Sequence, residues 1–150
     1  MFRIENRSSR LATTALSAAL LGAAAVLMPA TAAQAQPPSC ANPAITGTAG
    51  PDRIFSPPGP DVIAALGGDD VVVANGADTV CLGAGSDVYV GTDAVDTVDG
   101  GADGDTLTGD AGADQVSGDA GADTLSGGAG ASDRCAATIE TRTQCEIIIG

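Results

Sequence analysis

The sequence predicts an all-β fold, a solenoid of short parallel strands, from three regular features of residues 47–130. Aspartates recur every nine residues, with one interval of eight, at Asp52, Asp61, Asp70, Asp78, Asp87, Asp96, Asp105, Asp114 and Asp123. An apolar residue or tyrosine stands two positions after each aspartate, and glycine stands two positions before seven of the nine. Regularly spaced glycines disfavour a helix, and the apolar residues do not alternate as in an ordinary amphipathic strand. We therefore predict about nine repeats of about six turn and three strand residues.

The first 35 residues have the features of a secretory signal peptide. A basic opening that ends at Arg10 leads into a run rich in alanine and leucine, and Ala33-Gln34-Ala35 has the small-x-small form that signal peptidase accepts. We expect cleavage after Ala35 and export to the extracellular side of a bacterium, with no membrane association after cleavage. The alternative is an uncleaved membrane anchor, which the shortness and alanine content of the run disfavour.

Four cysteines in an exported chain indicate two disulfides, for which three connectivities exist. We predict Cys40–Cys81, which ties an N-terminal cap (residues 36–46) onto the solenoid, and Cys135–Cys145, which closes a loop in a C-terminal cap (residues 131–150). A zinc site is the alternative, but the cysteines are scattered and the chain has no histidine. The three isoleucines at 147–149 could alternatively form a dimerisation strand.

Two successive repeats are expected to complete one coil, so that single apolar residues meet between two short parallel sheets. Stacking places the aspartate of one coil about one strand spacing from that of the next, where bare carboxylates repel. Together with the backbone carbonyls of the turns, these carboxylates form an all-oxygen pocket, which suits Ca²⁺ better than Mg²⁺. The nine aspartates are therefore the predicted metal ligands, and Ca²⁺ is the predicted cofactor.

The nonapeptides GGADGDTLT, GDAGADQVS and GDAGADTLS carry a resemblance to a known family. They are similar to Gly-Gly-x-Gly-x-Asp-x-apolar-x, the repeat of the RTX, or haemolysin-type, calcium-binding proteins. The resemblance implies a parallel β-roll in which the aspartate at the sixth position holds calcium in rows along both turn edges. The chain departs from this pattern at Pro57, Pro58, Ala65, Leu66 and Ala94, and at Ser132, where a further aspartate would be expected. The sites from Asp87 to Asp123 are therefore expected to be the strongest.

Composition disfavours two other classes of function. The net charge is −13, and cleavage would leave three arginines against 18 acidic residues, so little is available to neutralise nucleic-acid phosphates. The chain has no histidine, and no serine or cysteine is paired with a base, so we do not expect an enzyme. Disorder of the Gly/Asp/Ala-rich stretch is an alternative, chiefly in the absence of calcium.

Hydroxyl side chains at outward strand positions suggest an alternative function, the binding of a regular surface. They are Thr79, Thr97, Thr106, Thr108, Ser117, Thr124 and Ser126. A regular array of this kind could serve an adhesin or a protein that binds glycans or ice, although Arg53, Asp99 and Gln115 interrupt it. We expect an exported calcium-binding protein with a structural or interaction role, whose protein or glycan partner the sequence leaves unknown.

Overall fold

The computed structural model describes residues 40–136, 141–145 and 147–149; the predicted signal peptide lies outside these residues. The described residues form the strands β1 Ile45–Thr46, β2 Arg53–Phe55, β3 Val62–Gly67, β4 Val71–Val73, β5 Thr79–Ala84, β6 Val88–Val90, β7 Thr97–Ala102, β8 Thr106–Thr108, β9 Gln115–Ser117, β10 Thr124–Ser126, β11 Arg134–Ala136, β12 Thr141–Thr143 and β13 Ile147–Ile149. Among them, no helix is long and apolar enough to cross a membrane.

The strands alternate between two parallel sheets. Sheet 1 contains the odd-numbered strands from β1 to β13, and sheet 2 contains the even-numbered strands from β2 to β12, each in chain order. Each strand pairs in parallel with the strand one coil later, as Thr106–Thr108 does with Thr124–Ser126. The predicted all-β parallel solenoid is confirmed.

The core is a single file of side chains between the two sheets. The second residue of each strand from β2 to β10 points inward, and its neighbours point outward because successive side chains of a strand lie on opposite faces. The nine predicted inward residues are all buried: Ile54, Ile63, Val72, Val80, Tyr89, Val98, Leu107, Val116 and Leu125. Cys135 of β11 extends the file, and Cys145 packs against it.

A second buried position follows two residues after each inward residue. Its occupants are Ser56, Ala65, Ala74 and Leu82 in the first repeats and Gly91, Gly100, Gly109, Gly118 and Gly127 in the later ones. Ala65, Ala74 and Leu82 belong to the apolar core. The core is therefore wider in the N-terminal half of the solenoid than in the C-terminal half.

Both predicted disulfides are present. Cys40–Cys81 links the N-terminal segment to the outer side of β5, and its cysteines are 41 residues apart in the sequence. Cys135–Cys145 joins the inward position of β11 to the segment between β12 and β13. Cross-links of these lengths stabilise a fold by about 2–4 kcal/mol, because they restrict the unfolded chain.

The outer face of sheet 2 carries two continuous rows of side chains. In register along the sheet they are Arg53, Val71, Val88, Thr106, Thr124 and Thr141, and Phe55, Val73, Val90, Thr108, Ser126 and Thr143. Asp99 and Gln115, which were expected to interrupt a hydroxyl array, lie instead on sheet 1 together with Thr79, Thr97 and Ser117. Within the described strands of sheet 2, Arg53 at one end is the only charged residue of these rows.

We expect Leu107→Ala to lower the free energy of unfolding by about 2–5 kcal/mol in saturating calcium. Leu107 is fully buried and lies between Tyr89 and Leu125 in the register of sheet 2, so its truncation leaves a cavity. Denaturant unfolding followed by circular dichroism measures the loss. Thr106→Ala, on the outward side of the same strand, should cost less than about 0.5 kcal/mol. Equal losses in the two variants would contradict the assigned inward face.

Candidate metal centre

The repeat aspartates are joined to one another through the backbone. From Asp52 to Asp114, the N–H of each repeat aspartate donates a hydrogen bond to Oδ1 of the aspartate one coil further along, with N to Oδ1 distances of 2.7–2.9 Å. Column 1, at the turns that lead into sheet 2, consists of Asp52, Asp70, Asp87, Asp105 and Asp123. Column 2, at the turns that lead into sheet 1, consists of Asp61, Asp78, Asp96, Asp114 and Asp133. All nine predicted ligands thus fall into two ordered columns.

The carboxylates of these columns are enclosed. From Asp70 onwards, every column aspartate is at most 2% exposed. Within the described residues, Oδ2 of Asp70, Asp87, Asp105 and Asp114 is buried and has no hydrogen-bond partner. Buried polar atoms are nearly always paired, and a buried ionised carboxylate without a compensating charge is costly. Each of these oxygens therefore requires a proton or a cation.

Glycine at the second buried position lets Oδ2 lie close to the backbone of its own turn. A methyl group built on Gly109 would collide with Oδ2 of Asp114 and would lie 2.7 Å from the carbonyl oxygen of Gly127, one coil later. At Gly91, such a methyl would lie 2.7 Å from Oδ2 of Asp96 and would collide with the carbonyl oxygen of Gly109. A carboxylate oxygen and a backbone carbonyl oxygen of the next coil therefore both lie close to the glycine Cα, on the side where another residue would carry its side chain.

The electrostatics of the columns favour binding of a positive charge. Burial raises the pKa of Asp105 to about 7 and those of Asp87 and Asp114 to about 6, and carboxylates in the same column raise them further. The backbone hydrogen bond to Oδ1 opposes the rise in each case. Burial also raises the pKa of Asp96, against the effects of the Asp78 N–H and the Tyr89 hydroxyl. The charged forms are therefore disfavoured until a counter-charge arrives.

The donor set is oxygen alone. Within the described part of the chain, no three carboxylates or thiols come together as a ready metal cluster. A cation between two turns would thus take carboxylate oxygens from one column and complete its shell with backbone carbonyls, such as that of Gly127. Ca²⁺ accepts six to eight such oxygens in flexible geometry, whereas Mg²⁺ requires a tight octahedron and keeps its waters. The residues present fit calcium.

Comparison with known families agrees with this chemistry. A model of the RTX calcium-binding nonapeptide repeat, four copies long, matches residues 58–89, 90–125 and 99–132. These segments span 75 of the 150 residues. The chain belongs to the RTX calcium-binding repeat family. No curated protein and no solved structure gives a significant match to it.

In columns 1 and 2, the hydrogen bonds that Oδ2 accepts differ from one repeat of this RTX protein to another. In the first repeats, Oδ2 of two column aspartates, Asp52 and Asp78, accepts hydrogen bonds from the protein, whereas Oδ2 of Asp70 and Asp87 does not. Asp52 accepts from the N–H of Thr48 at 2.6 Å and from its hydroxyl at 2.9 Å, and Asp78 accepts from the hydroxyl of Ser56 at 2.8 Å. Asp105 and Asp114 have no such donor at Oδ2. Strong protein donors to Oδ2 are therefore found at two column aspartates of the N-terminal half, Asp52 and Asp78, and at neither Asp105 nor Asp114.

Asp133 is the column residue that the sequence pattern did not predict. It follows Asp123 by ten residues, and the regular spacing pointed instead to Ser132. Its Oδ1 accepts the N–H of Asp114 at 2.9 Å, and the side chain is fully buried. The sequence did contain a feature that identifies Asp133. Cys135 stands two positions after it, as an apolar residue or tyrosine stands two positions after each of the nine predicted aspartates. A turn lengthened by one residue keeps the strand that follows in register.

In the presence of chelator at about pH 8, we expect Asp105→Asn to favour the folded form of the turns around residue 105 by roughly 1–3 kcal/mol, the usual cost of a buried unsatisfied polar group. Asparagine keeps the acceptor at Oδ1 and removes the charge. The pKa of Asp105 in the folded chain, about 7, exceeds the ordinary value of 3.8, so the wild type loses stability as pH rises through this range and the gain should vanish near about pH 4. Thermal unfolding measures both effects.

The same substitution tests the metal assignment when calcium is present. Saturating calcium should reverse the sign, because Asp105→Asn removes a charged ligand and weakens binding. An effect of the same sign in chelator and in calcium would contradict the role of Asp105.

Proposed function

We propose that this chain is an exported calcium-binding module whose β-roll is consolidated by Ca²⁺ held between successive turns, with a structural or interaction role. The observation that carries the proposal is the convergence of buried Oδ2 atoms with carbonyl oxygens of the next coil, as at Asp114 and Gly127. This arrangement lies within the repeats that match the RTX calcium-binding nonapeptide.

The residues of the chain prepare the site in two ways. The backbone N–H of Asp96 holds Oδ1 of Asp114, which fixes the direction in which Oδ2 points. Glycine at the second buried position lets a carbonyl oxygen approach that oxygen without obstruction. Bound calcium would supply the positive charge that cancels repulsion along a column and would contribute its binding free energy to folding.

Export rests on the signal-like sequence of residues 1–35 and on two disulfides, which form in oxidising compartments. Extracellular calcium modules are commonly tuned to about 10⁻⁴–10⁻³ M, so calcium outside the cell would occupy the sites. The proposal assigns no catalytic activity to the chain. Its partner would be calcium, together with a protein or glycan that recognises the folded solenoid.

A far-UV circular dichroism titration of oxidised residues 36–150 tests the proposal, with Mg²⁺ as the control. We expect β-structure to increase cooperatively with Ca²⁺ and to change little with Mg²⁺, because Mg²⁺ dehydrates reluctantly. A spectrum that is fully β in chelator and unchanged by calcium would contradict calcium-linked folding.

We expect Asp114→Ala to lower the calcium stoichiometry by at least one ion and to weaken cooperativity, because Asp114 contributes to the turns on either side of it in column 2. Isothermal titration calorimetry of the oxidised protein measures both quantities. Thr106→Ala, whose side chain is exposed on sheet 2, is the matched control and should bind as the wild type does. Equal losses of calcium stoichiometry and cooperativity in the two variants would contradict the assignment of Asp114 as a calcium ligand.

A second candidate function is adhesion through the outer face of sheet 2. The observation that favours it is the pair of rows on that face, which are uncharged except at Arg53 although the chain as a whole is strongly acidic. A regular neutral surface of this kind suits an equally regular partner, such as a polysaccharide or ice. Ice-recrystallisation and polysaccharide-sedimentation assays in calcium, with Thr106→Arg as the control, would separate this role from a purely structural one.

A further inference from the structure

The residue type at the second buried position changes near the middle of the chain. It carries a side chain at Ser56, Ala65, Ala74 and Leu82, and glycine at each of the five later positions from Gly91 to Gly127. All nine positions are buried, so the change affects the interior and not the surface. The two halves of one solenoid are therefore held together differently.

The N-terminal half has the larger apolar interior. β3 buries Ile63 together with Ala65, and β5 buries Val80 together with Leu82. In contrast, β8, β9 and β10 each bury one apolar side chain, and glycine occupies the second buried position that follows it. Because apolar burial is the main favourable term in folding, the N-terminal half needs less help from a metal.

Two further features strengthen the N-terminal half without a cation. The Cys40–Cys81 disulfide closes a loop that lies wholly within it. The hydroxyl of Ser56 donates to Oδ2 of Asp78 at 2.8 Å and accepts from the N–H of Asn75 at 2.7 Å, so a protein side chain stands where a cation would otherwise be needed. Thr48 satisfies Asp52 in the same manner.

The C-terminal half also carries a disulfide, Cys135–Cys145, but its turns differ in their glycines and carboxylates. Beside Asp105 and Asp114 the second buried position is Gly100 and Gly109, and any Cβ there would collide with Oδ2. These two carboxylates are at most 1% exposed, and their Oδ2 atoms have no hydrogen-bond partner within the described residues. Asp70 and Asp87 also have buried Oδ2 atoms, but in their turns a side chain, Ala65 or Leu82, occupies the position that glycine leaves open.

We propose that the solenoid consists of a calcium-independent part, residues 40–90, and a calcium-dependent part, residues 91–136, which assembles on it coil by coil when Ca²⁺ enters the glycine-lined turns. Column 2 would bind calcium between the turns 91–96, 109–114 and 127–133, and column 1 between the turns 100–105 and 118–123. This inference rests on the proposed function and restricts it to one half of the chain.

The two parts of the solenoid contribute different side chains to the outer face of sheet 2. The valine part of its rows, Val71 to Val90, belongs to the calcium-independent half, whereas the hydroxyl part, Thr106 to Ser126, belongs to the calcium-dependent half. The hydroxyl rows would therefore be displayed only in calcium. A partner that recognises them would bind conditionally.

Hydrogen–deuterium exchange with peptide-level mass spectrometry tests the division on the oxidised mature chain, in chelator and in calcium. We expect amides of β3 to β6 to be protected in both media. Amides of β8 to β10 should exchange at least about 100-fold more slowly when calcium is about 100 times its Kd, because a single coupled site adds RT ln(1 + [L]/Kd) to the free energy of opening and further sites add more.

Two outcomes of this measurement would overturn the inference in different ways. A calcium effect of equal size from β2 to β10 would overturn the division while leaving calcium binding intact. No calcium effect in any peptide would overturn the proposed function itself. Protection of β8 to β10 in chelator equal to that of β3 to β6 would also overturn the division.

A pair of glycine variants tests whether glycine at the second buried position is needed for the effect of calcium on amide exchange. Gly109→Ala places a methyl against Oδ2 of Asp114 and should abolish most of the calcium-induced slowing of exchange in β9 and β11. Gly50→Ala is the matched control, since a methyl there meets nothing within 4 Å, and it should leave the slowing unchanged. Equal behaviour of the two variants would contradict the glycine-lined site, and the wild-type exchange pattern decides the division even if Gly109→Ala does not fold.

Discussion

The hydrogen bond from the backbone N–H of one aspartate to Oδ1 of the aspartate one coil later organises this molecule. It recurs from Asp52 to Asp133 with little variation in length, and it sets the registration of successive turns. The same bond orients the carboxylate so that Oδ2 points into the turn. The position of the candidate metal sites therefore follows from the bond that stacks the coils, and the stacking and the binding of a cation depend on the same side chains.

Burying an ionised carboxylate in this position is unfavourable, and the two halves of the chain differ in the groups that they place around it. In the first repeats, hydroxyl groups such as that of Ser56 donate to Oδ2, and larger apolar side chains such as Leu82 widen the core. In the later repeats, glycine occupies the second buried position, and Oδ2 of Asp105 and Asp114 has no protein donor within the described residues. A narrow core suffices in this half only if metal binding adds to its stability, since one apolar residue per repeat provides little burial.

The fold also distributes charge in a way that bears on partners. The columns concentrate carboxylates at the two turn edges, while the outer face of sheet 2 carries valine, threonine and serine with Arg53 at one end. Calcium at the edges would neutralise part of the acidic charge without altering that face. An acidic solenoid with one neutral, regular face would repel polyanions and leave neutral surfaces accessible.

The sequence by itself determined the solenoid, its inward residues and nine column aspartates, because these depend on spacing within a single repeat. The two cysteine pairs were one of three possible connectivities and were predicted from the positions of the cysteines near the ends of the repeat region. The tertiary structure decided which aspartates face each other, because partners are 17–19 residues apart and the coil between them includes two turns of variable length. For that reason Asp133 was missed, although a lengthened turn brings it into column 2. The same dependence assigned Asp99 and Thr106 to different sheets, since the sheet on which an outward residue lies depends on whether an odd or even number of repeats precedes it.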